Sequence, residues 1–371
     1  MFSTLRLSDA RFFLALVLPL LTLYSIGMNP AYCVVGTLAI WWGVAAIDTW
    51  LPAARHSPPP EASLKDNGTL PSVYFSWLLR LYVPLQMVLI GVGCWAVLQA
   101  EVSWPMLLGI AFSVGFITGS QGITFAHELG HSKSKVDRFC AWALMTSVAY
   151  GHFMVEHYRG HHPRAATQAD PASGRFGESL YRFLPRTLAG SFTSGWQLEK
   201  ARLAQRKQSW LKSPLFWSFL AAFGAMIVLP ALVLPAQAAI KVVAYLLLQS
   251  AVAVLLLEIV NYIEHYGLQR KPAPSVPNST TARAEPFGMM HAWNADHLLG
   301  NSMLANLQRH SDHHMHAWKP YATLESLPGP QLPTGYAGCL LLAMVPPLWF
   351  SLMHPRIAAL VSSPVEHTPV Y

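Results

Sequence analysis

Residues 104–131 read WPMLLGIAFSVGFITGSQGITFAHELGH. The first 23 of them, Trp104–Ala126, carry no charge, and they run straight into His127-Glu128-Leu129-Gly130-His131. About 20 apolar residues in a helix cross roughly 30 Å of hydrocarbon, so this stretch reads as a membrane span that delivers two histidines to its far end. Five further apolar runs have similar length, three of them with a single charge (Asp48, Arg80 and Glu258): Phe12–Met28, Cys33–Trp50, Leu79–Leu98, Leu215–Leu234 and Val242–Val260. The expected fold is an all-α membrane protein with six transmembrane helices, a single domain over residues 1–371. A seventh run, Tyr336–Met353, is interrupted by Pro346 and Pro347 and reads as an interfacial or re-entrant piece. A signal peptide does not fit the first run, since a second span follows at once.

Composition agrees. Of 371 residues, 53% are hydrophobic and 12% charged, against about a quarter charged in average soluble domains. The connections Asn29–Tyr32, Gln99–Ser103 and Pro235–Ala239 lack Lys and Arg, which concentrate in Lys133–Lys212, segment 51–77, the N-terminus and the region after Arg270. The positive-inside rule therefore places both termini and both large polar segments, 127–214 and 261–335, in the cytoplasm. The net charge of +7 follows from that orientation and calls for no nucleic acid. Cys33, Cys94, Cys140 and Cys339 are scattered and form no CxxC pair, so the chain carries no Cys-ligated cluster of its own.

The sixteen histidines are clustered. Beyond His127 and His131 there are Glu156-His157-Tyr-Arg-Gly-His161-His162, Asn261-Tyr-Ile-Glu264-His265, and His310-Ser-Asp312-His313-His314. Residues three or four apart share a helix face, which pairs His127 with His131, His157 with His161, and His310 with His313 or His314. The nine imidazoles, including His162 and His265, exceed what one metal takes and point to two. Glu128, Glu156, Glu264 and Asp312 stand beside them as candidates to orient ligating imidazoles. His56, His354 and His367, and by default His152, His291, His297 and His316, read as ordinary interfacial or satisfied histidines. His127-Glu128-His131 alone also matches the H-E-x-x-H zinc-protease pattern, but that chemistry leaves most of the other histidines unused. All-imidazole sites beside an apolar bundle favour redox activation of oxygen over hydrolysis.

These motifs resemble the histidine boxes of the integral-membrane desaturase and hydroxylase superfamily, and most closely its alkane 1-monooxygenase branch. That branch has H-E-L-x-H-K, E-H-x-x-G-H-H, N-Y-x-E-H-Y-G-L and L-Q-R-H-S-x-H-H boxes, matched here at His127–His131, Glu156–His162, Asn261–Leu268 and Leu307–His314. Ser132-Lys133 departs from the first box outside its histidines, and Trp293-Asn294 before the last box also matches. The resemblance implies a non-haem di-iron centre held by the nine histidines and terminal hydroxylation of n-alkanes by O2, with a xylene-type methyl-aromatic substrate as the alternative. It also implies a bacterial inner-membrane location and electrons from rubredoxin, itself reduced by an NADH-dependent rubredoxin reductase. Rubredoxin is generally acidic, and Arg159, Arg164, Arg175, Lys200, Arg202, Arg206 and Lys207 are candidates for a complementary face. Gly190–Lys212 reads as an amphipathic surface helix with Phe192, Trp196, Leu198, Leu203 and Trp210 on its apolar side, and Lys271–Met290 as a loop.

Overall fold

A computed structural model describes residues 7–51, 70–272 and 284–362. His56, His367, most of segment 51–77 and the middle of Lys271–Met290 lie outside the described residues. Among the described residues the regular structure is helical, with two isolated β-bridges and no strand. Six helices are long and apolar enough to cross a membrane: α1 (Ala10–Met28), α2 (Pro30–Trp50), α3 (Tyr74–Val97 within the helix Leu70–Val97), α4 (Trp104–His131), α8 (Pro214–Val233) and α9 (Ala236–His265). Between α4 and α8 come α5 (Lys135–Ser147), α6 (153–164) and α7 (Leu180–Gln205). After α9 follow α10 (Leu298–Met303), α11 (His310–Met315), α12 (Tyr336–Ala343) and α13 (Pro346–Ser362).

The spans agree with the apolar runs in number and order but not in length. α4 continues five residues past Ala126 to His131, and α9 continues from Val260 to His265. Hydropathy marks where lipid ends, whereas a helix continues while its residues tolerate helical dihedrals. These extensions carry His127, His131 and His265. The interrupted seventh run is two helices, α12 and α13, meeting at 120°.

α4 and α9 form the centre of the bundle: 72% and 56% of their apolar windows are buried, against 22% in α2 and α8. Lipid tails solvate a leucine as well as protein does, so helices associate in a bilayer through close packing and interhelical hydrogen bonds. Both occur here. A Cβ at Gly115 would lie 2.5 Å from the Gln249 carbonyl oxygen, and one at Gly119 2.7 Å from Ala253 Cα, so only glycine lets the backbones of α4 and α9 meet. Thr118 Oγ1 donates to Gln249 Oε1 (3.1 Å), and Tyr82 of α3 donates to the Ile117 carbonyl (3.2 Å). The outer faces of α1, α2 and α8 present Leu20, Leu21, Val35, Trp42, Leu229 and Leu232, all exposed, as expected of surfaces solvated by lipid.

α7 departs from the expectation for Gly190–Lys212. It begins ten residues earlier, at Leu180, and ends at Gln205. Its buried stripe is apolar at the ends, with Leu180, Phe183 and Leu203, but its middle, Thr187, Ser191, Gly195 and Glu199, is not, while Phe192 is exposed. Glu199 binds Arg202 (2.6 Å) and Ser213 (2.7 Å), and Thr187 donates to Glu258 of α9 (2.7 Å). A stripe whose polar groups find partners packs inward as readily as an apolar one, and hydrophobic periodicity does not detect it.

Candidate metal centre

The nine clustered histidines converge at one end of the bundle, in two groups. His127, His131, His157, His162 and His313 form the first, and His161, His265, His310 and His314 the second. Within each group the nearest nitrogens all lie within 4.8 Å of one another. Three observations explain how the local sequence builds this arrangement.

His127 and His131 lie one turn apart on α4, rings 5.0 Å between centroids. They follow a wide π turn over Thr118–Ile123, a feature that often accompanies functional sites. Gly130 between them leaves room for Tyr158: a Cβ there would overlap its hydroxyl, which donates to the His127 carbonyl at 3.0 Å.

The second box corrects the expected pairing. His157–His161 form a π turn, in which bonds run i to i+5. His157 therefore meets His162 (Nε2 to Nε2, 3.0 Å), and His161 turns to the second group. The fourth box divides likewise: His310 and His314, one α-helical turn apart, join the second group, and His313 joins the first.

His265 terminates α9. Its Nδ1 lies 3.1 Å from the His291 carbonyl, and its Nε2 lies 3.2 Å from His310 Nε2. Two imidazole nitrogens sharing a metal at about 2.1 Å lie roughly 3 Å apart. Trp293 and Asn294 brace this corner. Trp293 donates its backbone N–H to the Glu264 carbonyl and its indole N–H to the Tyr266 carbonyl (both 2.8 Å). Asn294 accepts from the Ser311 backbone N–H at 2.9 Å, fixing the start of α11.

The donor set fits a metal. Buried His131 Nε2, His161 Nε2, His313 Nε2 and both ring nitrogens of His314 lack a hydrogen-bond partner among the described residues. An unpaired buried nitrogen is costly unless something coordinates it. Burial holds His157, His162, His310, His313 and His314 well below the usual histidine pKa, which keeps their lone pairs free. His161 is the exception: burial disfavours its charge, but Asp170 beside it raises its pKa.

Three of the four marked carboxylates take partners other than the clustered histidines. Only Glu264 reaches a cluster histidine, with Oε2 3.3 Å from His310 Nε2 and Oε1 accepting from Tyr336 Oη (2.9 Å). Glu128 accepts from the Tyr321 backbone N–H, Glu156 binds Arg164 and Ser194, and Asp312 binds His316 and Lys319. The close carboxylate is one the sequence did not mark: Asp170, 2.9 Å from His161 Nδ1 and bound by Ser173 (2.6 Å). Asp170 stands in a loop nine residues from His161, a spacing that carries no periodic signal. Among the other histidines, His316 pairs with Asp312, His354 with Tyr266 and His291 with Glu285.

A largely apolar cavity reaches the cluster from within the bundle. Leu18, Ile40, Trp41, Phe116, Leu257 and Leu340 line its length, and His127, His157 and His310 line its end.

Comparison with known proteins bears on this arrangement. The fatty acid desaturase family model matches residues 102–337. An alkane 1-monooxygenase of Pseudomonas putida is 37% identical over 326 residues, covering 86% of this chain and 77% of the relative. Alkane 1-monooxygenase 2 of Pseudomonas aeruginosa is 40% identical, covering 77% and 74% respectively. The hydroxylase component of xylene/toluene monooxygenase from Pseudomonas putida is 26% identical over 76% of the chain and 74% of the relative. The chain belongs to the fatty acid desaturase family and, within it, to the alkane 1-monooxygenases.

Proposed function

We propose that this chain is a membrane-bound non-haem di-iron monooxygenase that converts the terminal methyl of n-alkanes to primary alcohols. The observation that carries this reading is the cavity whose apolar walls end on histidines of both groups. The five-histidine and four-histidine groups would hold the irons, whose chemistry when bound would be the activation of O2. The protein's own part is positional. Trp41, Phe116, Leu257 and Leu340 exclude water and hold an alkyl chain end-on, so that its last carbon meets the centre. Asp170 and the His291 carbonyl fix the rings of His161 and His265. The balance is alkane, O2, two electrons and two protons to alcohol and water.

The electrons come from rubredoxin, reduced by its NADH-dependent reductase. The four cysteines are all free and scattered, which supports an external donor. The histidine end faces the cytoplasm of a bacterial inner membrane, a reading supported by Lys133, Lys135, Arg138 and Arg159 on the segments flanking the histidine boxes. The zinc-protease alternative loses its support, because His127 and His131 gather with three further histidines and Glu128 accepts a backbone N–H.

Cells expressing the chain with a rubredoxin system and fed n-octane, hexadecane and p-xylene are expected to yield 1-alkanols. Methylbenzyl alcohol as the sole product would favour the xylene-type reading, and no alcohol at all would overturn the substrate assignment. Metal analysis should find two irons per chain, and one zinc would overturn the di-iron centre. Asp170→Asn should lower iron retention or turnover roughly 10–100-fold, read by metal analysis of the purified protein. Unchanged iron content and turnover would show that Asp170 serves only its loop.

A further inference from the structure

A second cavity lies beside the centre, between the turn Ala149–His152 that precedes α6 and the helices α7, α8 and α9. Its walls are apolar: Leu188, Phe192, Leu215, Phe219, Met226 and Leu247. Four polar side chains interrupt them; Tyr150 and Ser218 already bond Glu258 and Thr146, but His152 and Trp196 do not have such partners. His152 is 6% exposed, and its Nε2 has no hydrogen-bond partner among the described residues. The Trp196 indole Nε1 is likewise buried and unpartnered. Two unsatisfied nitrogens in one apolar cavity are costly unless a ligand bonds them.

Their chemistry restricts that ligand. An indole N–H only donates, whereas a neutral imidazole nitrogen accepts or donates. Burial lowers the His152 pKa to about 4, so its ring is neutral. A hydroxyl can accept from the indole and donate to the imidazole. A carboxylate or phosphate cannot donate in its ionised form, and no Lys or Arg lines the cavity to pair its charge. An alkane satisfies neither nitrogen.

The position restricts it further. Tyr150 and His152 line both this cavity and a small polar pocket that also reaches His157 and His161. The two residues therefore form a partition between the lateral cavity and the centre. On the far side, Phe219 and Phe223 of α8 are exposed on the lipid-facing surface.

We propose that this lateral cavity is a binding site for long-chain primary alcohols, with His152 and Trp196 bonding the hydroxyl and α7–α9 sheathing the tail. It rests on the hydroxylase reading in one respect: the alcohol is the reaction's product, held on its way from the centre to the bilayer. Substrate and product then occupy different cavities, and a polar partition discriminates between them by one oxygen atom.

Photolabelling of the full-length protein in nanodiscs tests this without turnover. A long-chain 1-alkanol carrying a diazirine in its tail is expected to label α7 and α8 near Phe192 and Phe219. The matching diazirine alkane should label α2 or α4 around the first cavity instead. His152→Leu and Trp196→Phe should each lower alcohol labelling roughly tenfold, the loss expected for one buried hydrogen bond. Alkane labelling should stay constant, which shows that each variant is folded. Equal labelling of the lateral cavity by alkane and alcohol, or alcohol labelling confined to the first cavity, would overturn the proposal. Because labelling needs no oxidation, a chain that binds alcohol here yet hydroxylates no alkane would overturn the proposed function alone.

Discussion

His265→Ala is expected to abolish alkane hydroxylation, by at least about 100-fold, the upper end of what losing a mere supporting partner costs. Iron content should fall from two per chain towards one. The reason is the composition of the second group, which has four members against five in the first. Without His265, the remaining His161, His310 and His314 come from α6 and α11, and nothing from the membrane-spanning helices anchors the group. His310 Nε2 also loses its neighbour at 3.2 Å. The matched control is His316→Ala. That ring is a third exposed and bonds Asp312 at 2.6 Å, outside both groups. Its removal should change activity by no more than about twofold, as for other surface substitutions. Iron analysis and product yield on both variants decide the matter, and equal behaviour would refute the nine-ligand assignment.

The second large effect concerns the bundle itself. Gly119→Ala adds one methyl group 2.7 Å from Ala253 Cα and 2.8 Å from its carbonyl oxygen. Backbone cannot rotate aside as a side chain does, so α4 and α9 must separate, at a cost of about 1–3 kcal/mol. Because the same helices carry His127, His131 and His265, activity should fall along with stability. Gly91→Ala makes the same chemical change where nothing lies within 4 Å. It should be neutral or slightly stabilising through helix propensity. Thermal unfolding in detergent compares the two, and similar melting temperatures would show that the α4–α9 contact is not tight.

Much of this was legible before any coordinates. Apolar runs of the right length announce six spans, because crossing hydrocarbon leaves little freedom in composition. Clustered histidines announce the centre. Other features depend on quantities that sequence spacing does not carry. The division of nine histidines into five and four follows from a π turn at His157–His161, where an α-helical reading pairs the wrong residues. Asp170 approaches His161 through a loop, and loops have no period to read. Glu128, Glu156 and Asp312 adjoin the boxes in sequence but take backbone, arginine or lysine partners in space. The polar middle of the buried stripe of α7 inverts the usual pattern, since its partners come from α9 and from Ser213.

The division of the histidines has a mechanical consequence. His161 and His162 are consecutive residues assigned to opposite groups, and so are His313 and His314. Consecutive Cα atoms are 3.8 Å apart across a trans peptide, so two covalent links tie one group to the other. Side-chain packing can yield as the bilayer thins, but a peptide bond does not stretch. The two groups are thus riveted at two points, and neither can drift from the other without a rotation of the backbone that holds both.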